Sequence, residues 1–213
     1  MIKNAALIMI DLQNDFCSGG SLAVPDGDRV IPLANELQKQ FDLVIATKDW
    51  HPRDHTSFAD NHSSQDVGDL ITIDTLSQVL WPVHCVQETH GAEFHPALDT
   101  LRIKKIIYKG TDKKIDSYSA FFDNAHQRST GLADYLYEQN INCIYVMGLA
   151  TDYCVRYSCL DALQLGFDVY FIQDACRGVE LNKGDIACAI NEMKVQGVSS
   201  VWREDVLRLD FSG

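Results

Sequence analysis

Four stretches of the chain carry side chains that could act together. "KDWH" places Asp49 and His51 two residues apart. In an extended segment, residues i and i+2 project to the same side, so this carboxylate and imidazole can converge on one ion. "WPVHC" offers His84 as a third ligand. Asp-His-His suits a first-row divalent ion that keeps positions open for water or substrate. In extended chain Cys85 points away from His84, and His55 is a candidate water-mediated neighbour. "GLATDYCV" carries Cys154 just past an aliphatic run, in the predicted first turn of a helix, where free N–H groups and the dipole stabilise a thiolate. Asp11 closes "AALIMID" and Lys109 closes "RIKKIIYK". Thiol, cation and carboxylate together make a nucleophile, a charge that lowers its pKa and a shuttle for its proton. No histidine lies near Cys154 in sequence, so a Cys–His pair is not suggested. Cys17, in the loop after the first run, is the next thiol to consider.

The elements that must position these groups are legible as apolar runs. Strands are predicted at 5–11, 42–48, 102–109, 142–149, 168–174 and 199–202. Several lack period-2 alternation, as strands covered on both faces do. Helices are predicted at 28–40, 130–140, 152–166 and 184–197. Strand alternating with helix implies βαβ units, a parallel sheet and right-handed crossovers. Ligands of such sheets bind beyond the carboxyl ends of the strands, at a switch point. The first four runs each deliver an ionisable or nucleophilic group to that edge. Residues 49–101 break the rhythm and hold six of the seven histidines, with Trp50, Phe58 and Trp81. Aromatic content argues for an ordered, functional insertion inside one domain spanning 1–213.

Bulk properties narrow the class. The chain has 213 residues, enough for one α/β domain with a substantial core. A formal net charge of −12, with no basic run to offset it, argues against nucleic-acid binding. No apolar segment approaches the ~20 residues of a membrane span. The N-terminal apolar stretch stops at Asp11 with no small-residue cleavage site, and reads as a buried strand rather than a signal. Seven cysteines, odd in number and without a CxxC pair, argue against both a disulfide framework and a structural zinc site. A reducing, cytoplasmic location is expected.

"IDLQNDFCSGGSLAV", "ATKDWHPRDHTSF", "WPVHCVQETHGAEFHP", "YKGTDKKIDSYSAF" and "GLATDYCVRYSCLDAL" resemble, in collinear order, the nicotinamidases of the isochorismatase-like cysteine hydrolase superfamily. The resemblance implies a doubly wound parallel sheet of about six strands with helices on both faces. It implies Asp11, Lys109 and Cys154 as catalytic triad, and Asp49, His51 and His84 as ligands of one divalent ion (zinc, iron or manganese), with His55 as a further candidate. It implies a cis peptide between Leu149 and Ala150, the amides of Ala150 and Cys154 as an oxyanion hole, and Phe16, Trp81, Tyr118, Leu149 and Tyr153 around a flat ring. The expected reaction is hydrolysis of nicotinamide, and of pyrazinamide, to the acid and ammonia, serving NAD salvage. Two alternatives stand beside it: a cysteine hydrolase of the same fold acting on another small amide or carbamoyl compound, and a non-haem iron oxygenase. No nucleic-acid or membrane partner is expected, and homo-oligomerisation is left open.

Overall fold

The computed structural model describes residues 2–73 and 75–209. Its framework is a six-stranded parallel sheet built from β1 (Ile2–Ile10), β2 (Phe41–Asp49), β5 (Ile103–Lys109), β6 (Cys143–Leu149), β7 (Asp168–Arg177) and β8 (Ser199–Val201), in the order β5-β2-β1-β6-β7-β8. All six predicted strands are present. The two central ones, β1 and β6, lie side by side from Ala5↔Cys143 to Ile10↔Gly148. Leu7, Ile8, Met9 and Ile10 are fully buried, each worth up to about 1.5–3 kcal/mol of transfer free energy. That double-sided burial is why "AALIMI" shows no alternation. At the edge, β5 exposes part of its length, and Lys104 and Lys105 are exposed there.

From β1 the chain steps outward to β2 and β5, then returns to place β6 on the other side of β1. The gap between the carboxyl ends of β1 and β6 is therefore the topological switch point. Right-handed crossovers in opposite directions put α1 (Val30–Leu37) on one face and α2 (Leu132–Glu138), α3 (Arg156–Gln164) and α4 (Asp185–Gln196) on the other. The packing agrees: α1 contacts the final helix, α5 (Arg203–Arg208), while α3 contacts α4.

Several details differ from expectation. The helix predicted over 28–40 is α-helical only across Val30–Leu37, with tight 3₁₀ turns at Gly27–Arg29 and Gln38–Gln40. Pro32 falls in the first turn of α1, where a missing N–H costs nothing. The segment 49–101 is not wholly irregular. It contains an antiparallel hairpin, β3 (Leu70–Ile73) and β4 (Leu76–Val79), whose partly exposed residues carry no clean apolar alternation. α5 was also unforeseen, being a six-residue helix too short to show a period. Among the described residues no helix is long and apolar enough to cross a membrane.

Candidate active site

β1, β2 and β5 end at the switch point with Asp11, Asp49 and Lys109, and Lys109 is the register partner of Asp49. β6 leads through a cis peptide at Leu149–Ala150 into a wide turn, Thr151–Val155, that bears Cys154 and runs into α3. This turn is tied down on both sides. Ser158 Oγ donates to the carbonyl of Cys154 at 2.6 Å, and the Asp152 carboxylate accepts the N–H groups of Val179 at 3.0 Å and Glu180 at 2.7 Å. Gly148, with φ of +122°, brings β6 so close to the Ile10 carbonyl that any Cβ would overlap it.

Lys109 is the hub. Its ammonium, almost wholly buried, lies 2.8 Å from Asp11 Oδ2, donates to Asp49 Oδ1, and reaches the Ser117 carbonyl at 3.2 Å and Cys154 Sγ at 3.3 Å. Burial works against charge on this lysine, but Asp11 and Asp49 hold its pKa well above the usual range. Asp49 is pushed up by burial, yet Lys109 and His51 bring it well below the ordinary carboxylate range. Asp11, also buried, has only a share of Lys109; burial and the charge of Asp49 leave its pKa raised.

Cys154 corrects one expectation. Lys109 does pull its pKa down, as the sequence suggested, but burial and the neighbouring carboxylates of Asp11 and Asp49 outweigh that pull and raise it well above normal. Two acids and a dry site defeat one lysine and the turn dipole. Burial and the two carboxylates thus favour the protonated thiol over the thiolate.

Next to this cluster, Asp49 Oδ2 lies 3.5 Å from His51 Nε2 and 3.7 Å from His84 Nε2. Ligands at about 2.0–2.1 Å from a shared ion sit roughly 3–3.5 Å from one another, so these spacings suit a common centre. The tautomers agree. His51 Nδ1 donates to the Gly110 carbonyl at 2.9 Å and His84 Nδ1 to the Pro82 carbonyl at 2.8 Å, so both Nε2 lone pairs point toward Asp49. His51 Nε2 is buried and has no hydrogen-bond partner among the described residues. Gly110, at φ +63°, is required here because a Cβ would overlap the His51 ring. The three residues fit a divalent ion.

His55 stands beside them and, with His51 and Asp116, forms a second buried group of ligand-type side chains. Its ring is tilted by 43° against that of His51 with centroids 4.3 Å apart, and its Nδ1 accepts the backbone N–H of Ser57 at 3.1 Å, which puts the ring proton on Nε2. Burial, with His51 beside it, brings its pKa down to about 4, so it is neutral. Cys85 is outside the set, and its N–H donates to Asp15 Oδ2 at 2.7 Å.

A narrow pocket opens over Cys154, with Asp49 and His84 among its lining residues. Phe16, Trp81, Tyr118 and Tyr153 line it as expected. Tyr118 is fixed by Trp81 Nε1 at 3.1 Å and Gln78 Nε2 at 3.2 Å, both donating to its hydroxyl, so the unforeseen hairpin braces the pocket. Trp81 and Tyr118 each meet the Tyr153 ring edge-on, at 4.9 and 5.3 Å. Leu149, expected to touch the ring, does not line the pocket; it is buried behind it, toward Gly27. Leu22, Asp116 and Val179 line it instead. Lone loop residues of these types carry no sequence signal of their own. Around Cys154, the amides of Tyr153 and Val155 are both taken by the Ala150 carbonyl at 3.1 Å, which leaves them unable to serve an oxyanion.

Residues 5–201 match the isochorismatase domain, and the chain belongs to that family. It is 48% identical over 200 residues to the nicotinamidase of Escherichia coli, covering 91% of this chain and 92% of that one. Its fold superposes on a nicotinamidase–pyrazinamidase of Acinetobacter baumanii with a TM-score of 0.94 and 47% identity, covering 97% and 99% of the two chains. It also superposes on PnC1 of L. infantum, solved in complex with nicotinate, with a TM-score of 0.82 and 34% identity over 94% and 93%.

Proposed function

We propose that this chain is an amidohydrolase that converts nicotinamide to nicotinate and ammonia through a thioester on Cys154, and that it also accepts pyrazinamide. The observation that carries the reading is the single cleft in which Lys109 joins Asp11 and Cys154 to a buried Asp49-His51-His84 set. A cysteine hydrolase that ignored the ring would have no use for the second half. An oxygenase would have no use for the first.

Catalysis starts from the neutral thiol. Sγ attacks the carboxamide carbon while its proton passes to Asp11, whose raised pKa suits it to accept and then release one. Lys109 keeps the pair of carboxylates together as the proton moves. The oxyanion lies against the amides of Ala150 and Cys154; in other enzymes loss of one such donor costs about 10²–10³ in rate. Asp11 returns the proton to the nitrogen as the C–N bond breaks, and ammonia leaves. Water, deprotonated by Asp11, then cleaves the thioester and releases nicotinate and the free thiol. Asp49, His51 and His84 would hold the divalent ion, which supplies a Lewis-acidic partner for a ring nitrogen and can acidify bound water. The aromatic side chains of Phe16, Trp81, Tyr118 and Tyr153 select for a flat ring of that size. We assign the activity to NAD salvage in a reducing cytoplasm, in keeping with cysteines that are all free among the described residues.

The test is ammonia release from nicotinamide by the metal-loaded protein, with and without chelator. Turnover that falls on chelation and returns with one divalent ion per chain supports the reading. No ammonia from nicotinamide or pyrazinamide refutes it.

A further inference from the structure

Asp11 is held by one residue that is neither in the triad nor among the metal ligands. Thr47, fully buried in β2, donates its hydroxyl to Asp11 Oδ1 at 2.5 Å, and the same oxygen accepts the N–H of Asp11 at 3.1 Å. A threonine hydroxyl has one proton to give, and here it is spent on the carboxylate. The second carboxylate oxygen is treated differently. Oδ2 has no hydroxyl or amide donor among the described residues, and is paired with the Lys109 ammonium at 2.8 Å. One carboxylate oxygen each of Asp11 and Asp49 and the sulfur of Cys154 lie within 4.8 Å of one another.

We infer that Thr47 is a positioning residue for catalysis, which clamps Asp11 by its backbone and by one carboxylate oxygen, so that the other oxygen is left to exchange the proton of Cys154. This deepens the proposed amidase reading and rests on its assignment of Asp11 as proton acceptor. The backbone half of the clamp matters because Asp11 adopts φ of +51°, a left-handed conformation uncommon outside glycine. With its N–H and Oδ1 both on Thr47, the carboxylate cannot rotate to exchange its two oxygens without breaking a buried hydrogen bond. Geometry on β2 makes this economical. Thr47 and Asp49 are i and i+2, so they share a side of the strand, one serving the base and the other the metal set and Lys109.

The experiment compares Thr47→Val, which keeps the shape and removes the hydroxyl, with Thr47→Ser, which restores it, in metal-loaded protein checked by thermal melting. A hydrogen bond to a charged group is worth a factor of about 10 to 100. Thr47→Val should therefore lower kcat by about 10- to 100-fold, while KM for nicotinamide and the affinity for nicotinate stay within about threefold. Thr47→Ser should recover most of the lost kcat. Alkylation of Cys154 by iodoacetamide at neutral pH, followed by peptide mass spectrometry, should slow in Val and recover in Ser. If Val does not fold, Thr47→Ala, which leaves room for water at the Asp11 amide, is read by the same criteria. Unchanged kcat in the folded variant, a loss confined to KM, or a Ser variant as impaired as Val would overturn the inference. Failure of wild type to hydrolyse nicotinamide would sink the functional reading alone. The alkylation series would then decide the role of Thr47: slowing in Val reversed in Ser sustains it, and identical rates end it.

Discussion

Lys109→Met is the perturbation that most directly probes how this site is held together. The ammonium is buried between the carboxylates of Asp11 and Asp49, and touches both as well as Cys154. Methionine fills much the same space but leaves two buried acids facing each other without a counter-charge. Removing one partner of a buried ion pair typically costs about 3–5 kcal/mol. For a domain of this length that corresponds to a fall in Tm of roughly 6–20 °C. The pH dependence has a definite sign. Asp11 already has a raised pKa in the folded protein, and losing Lys109 must raise it further and raise Asp49 from its depressed value. Groups whose folded pKa lies above the unfolded value contribute stability at low pH and lose it as pH rises through the folded pKa. The deficit of the variant should thus be largest near neutral pH and shrink on acidification. The assay is urea denaturation of wild type and variant in the presence of chelator, at neutral and mildly acidic pH. Saturating divalent ion should narrow the gap, since Asp49 then has another cation. A deficit below about 1 kcal/mol at neutral pH, the scale of an exposed pair, would mean that the Lys109 charge is not what holds the two acids together. Turnover should also fall steeply, because the charge beside Sγ is gone.

Cys154→Ala should abolish ammonia release while calorimetry still detects nicotinate binding; activity above about 1% of wild type would move the nucleophile elsewhere, with Cys17 next to test. His84→Ala should reproduce chelation, because two remaining ligands hold a first-row ion poorly, and metal analysis of the purified variant should show well under one ion per chain. His55→Gln should leave metal stoichiometry intact, since His55 Nδ1 accepts the Ser57 N–H and so leaves Nε2 protonated; loss of the ion would make His55 a ligand. Gly110→Ala should lower metal affinity without changing a single donor, by displacing the His51 ring, which a matching dissociation constant in wild type and variant would disprove.

Chemistry with strong local pattern was readable without coordinates. Unalternating apolar runs revealed strands buried on both faces, and the strand–helix rhythm implied which strand ends share an edge. That was enough to nominate Asp11 and Lys109, which end such runs, Asp49, which directly follows one, and Cys154, in the turn after another. Spacing of i and i+2 on an extended chain coupled Asp49 to His51. What tertiary structure alone decided was how these groups divide their interactions. Only the packed site shows Asp49 giving one oxygen to Lys109 and the other to the histidines, or Lys109 shared between two acids so that its pull on Cys154 is outweighed. Hydrogen bonds to Gly110 and Pro82 set the tautomers of His51 and His84, and one from the Ser57 amide sets that of His55. Leu149 carried no label to say it faces the core, nor Thr47 that its hydroxyl meets Asp11. Periodicity reports which residues are covered, since burial repeats along an element. Tautomers, rotamers and charge balance arise from contacts between distant segments, and only the folded chain brings those together.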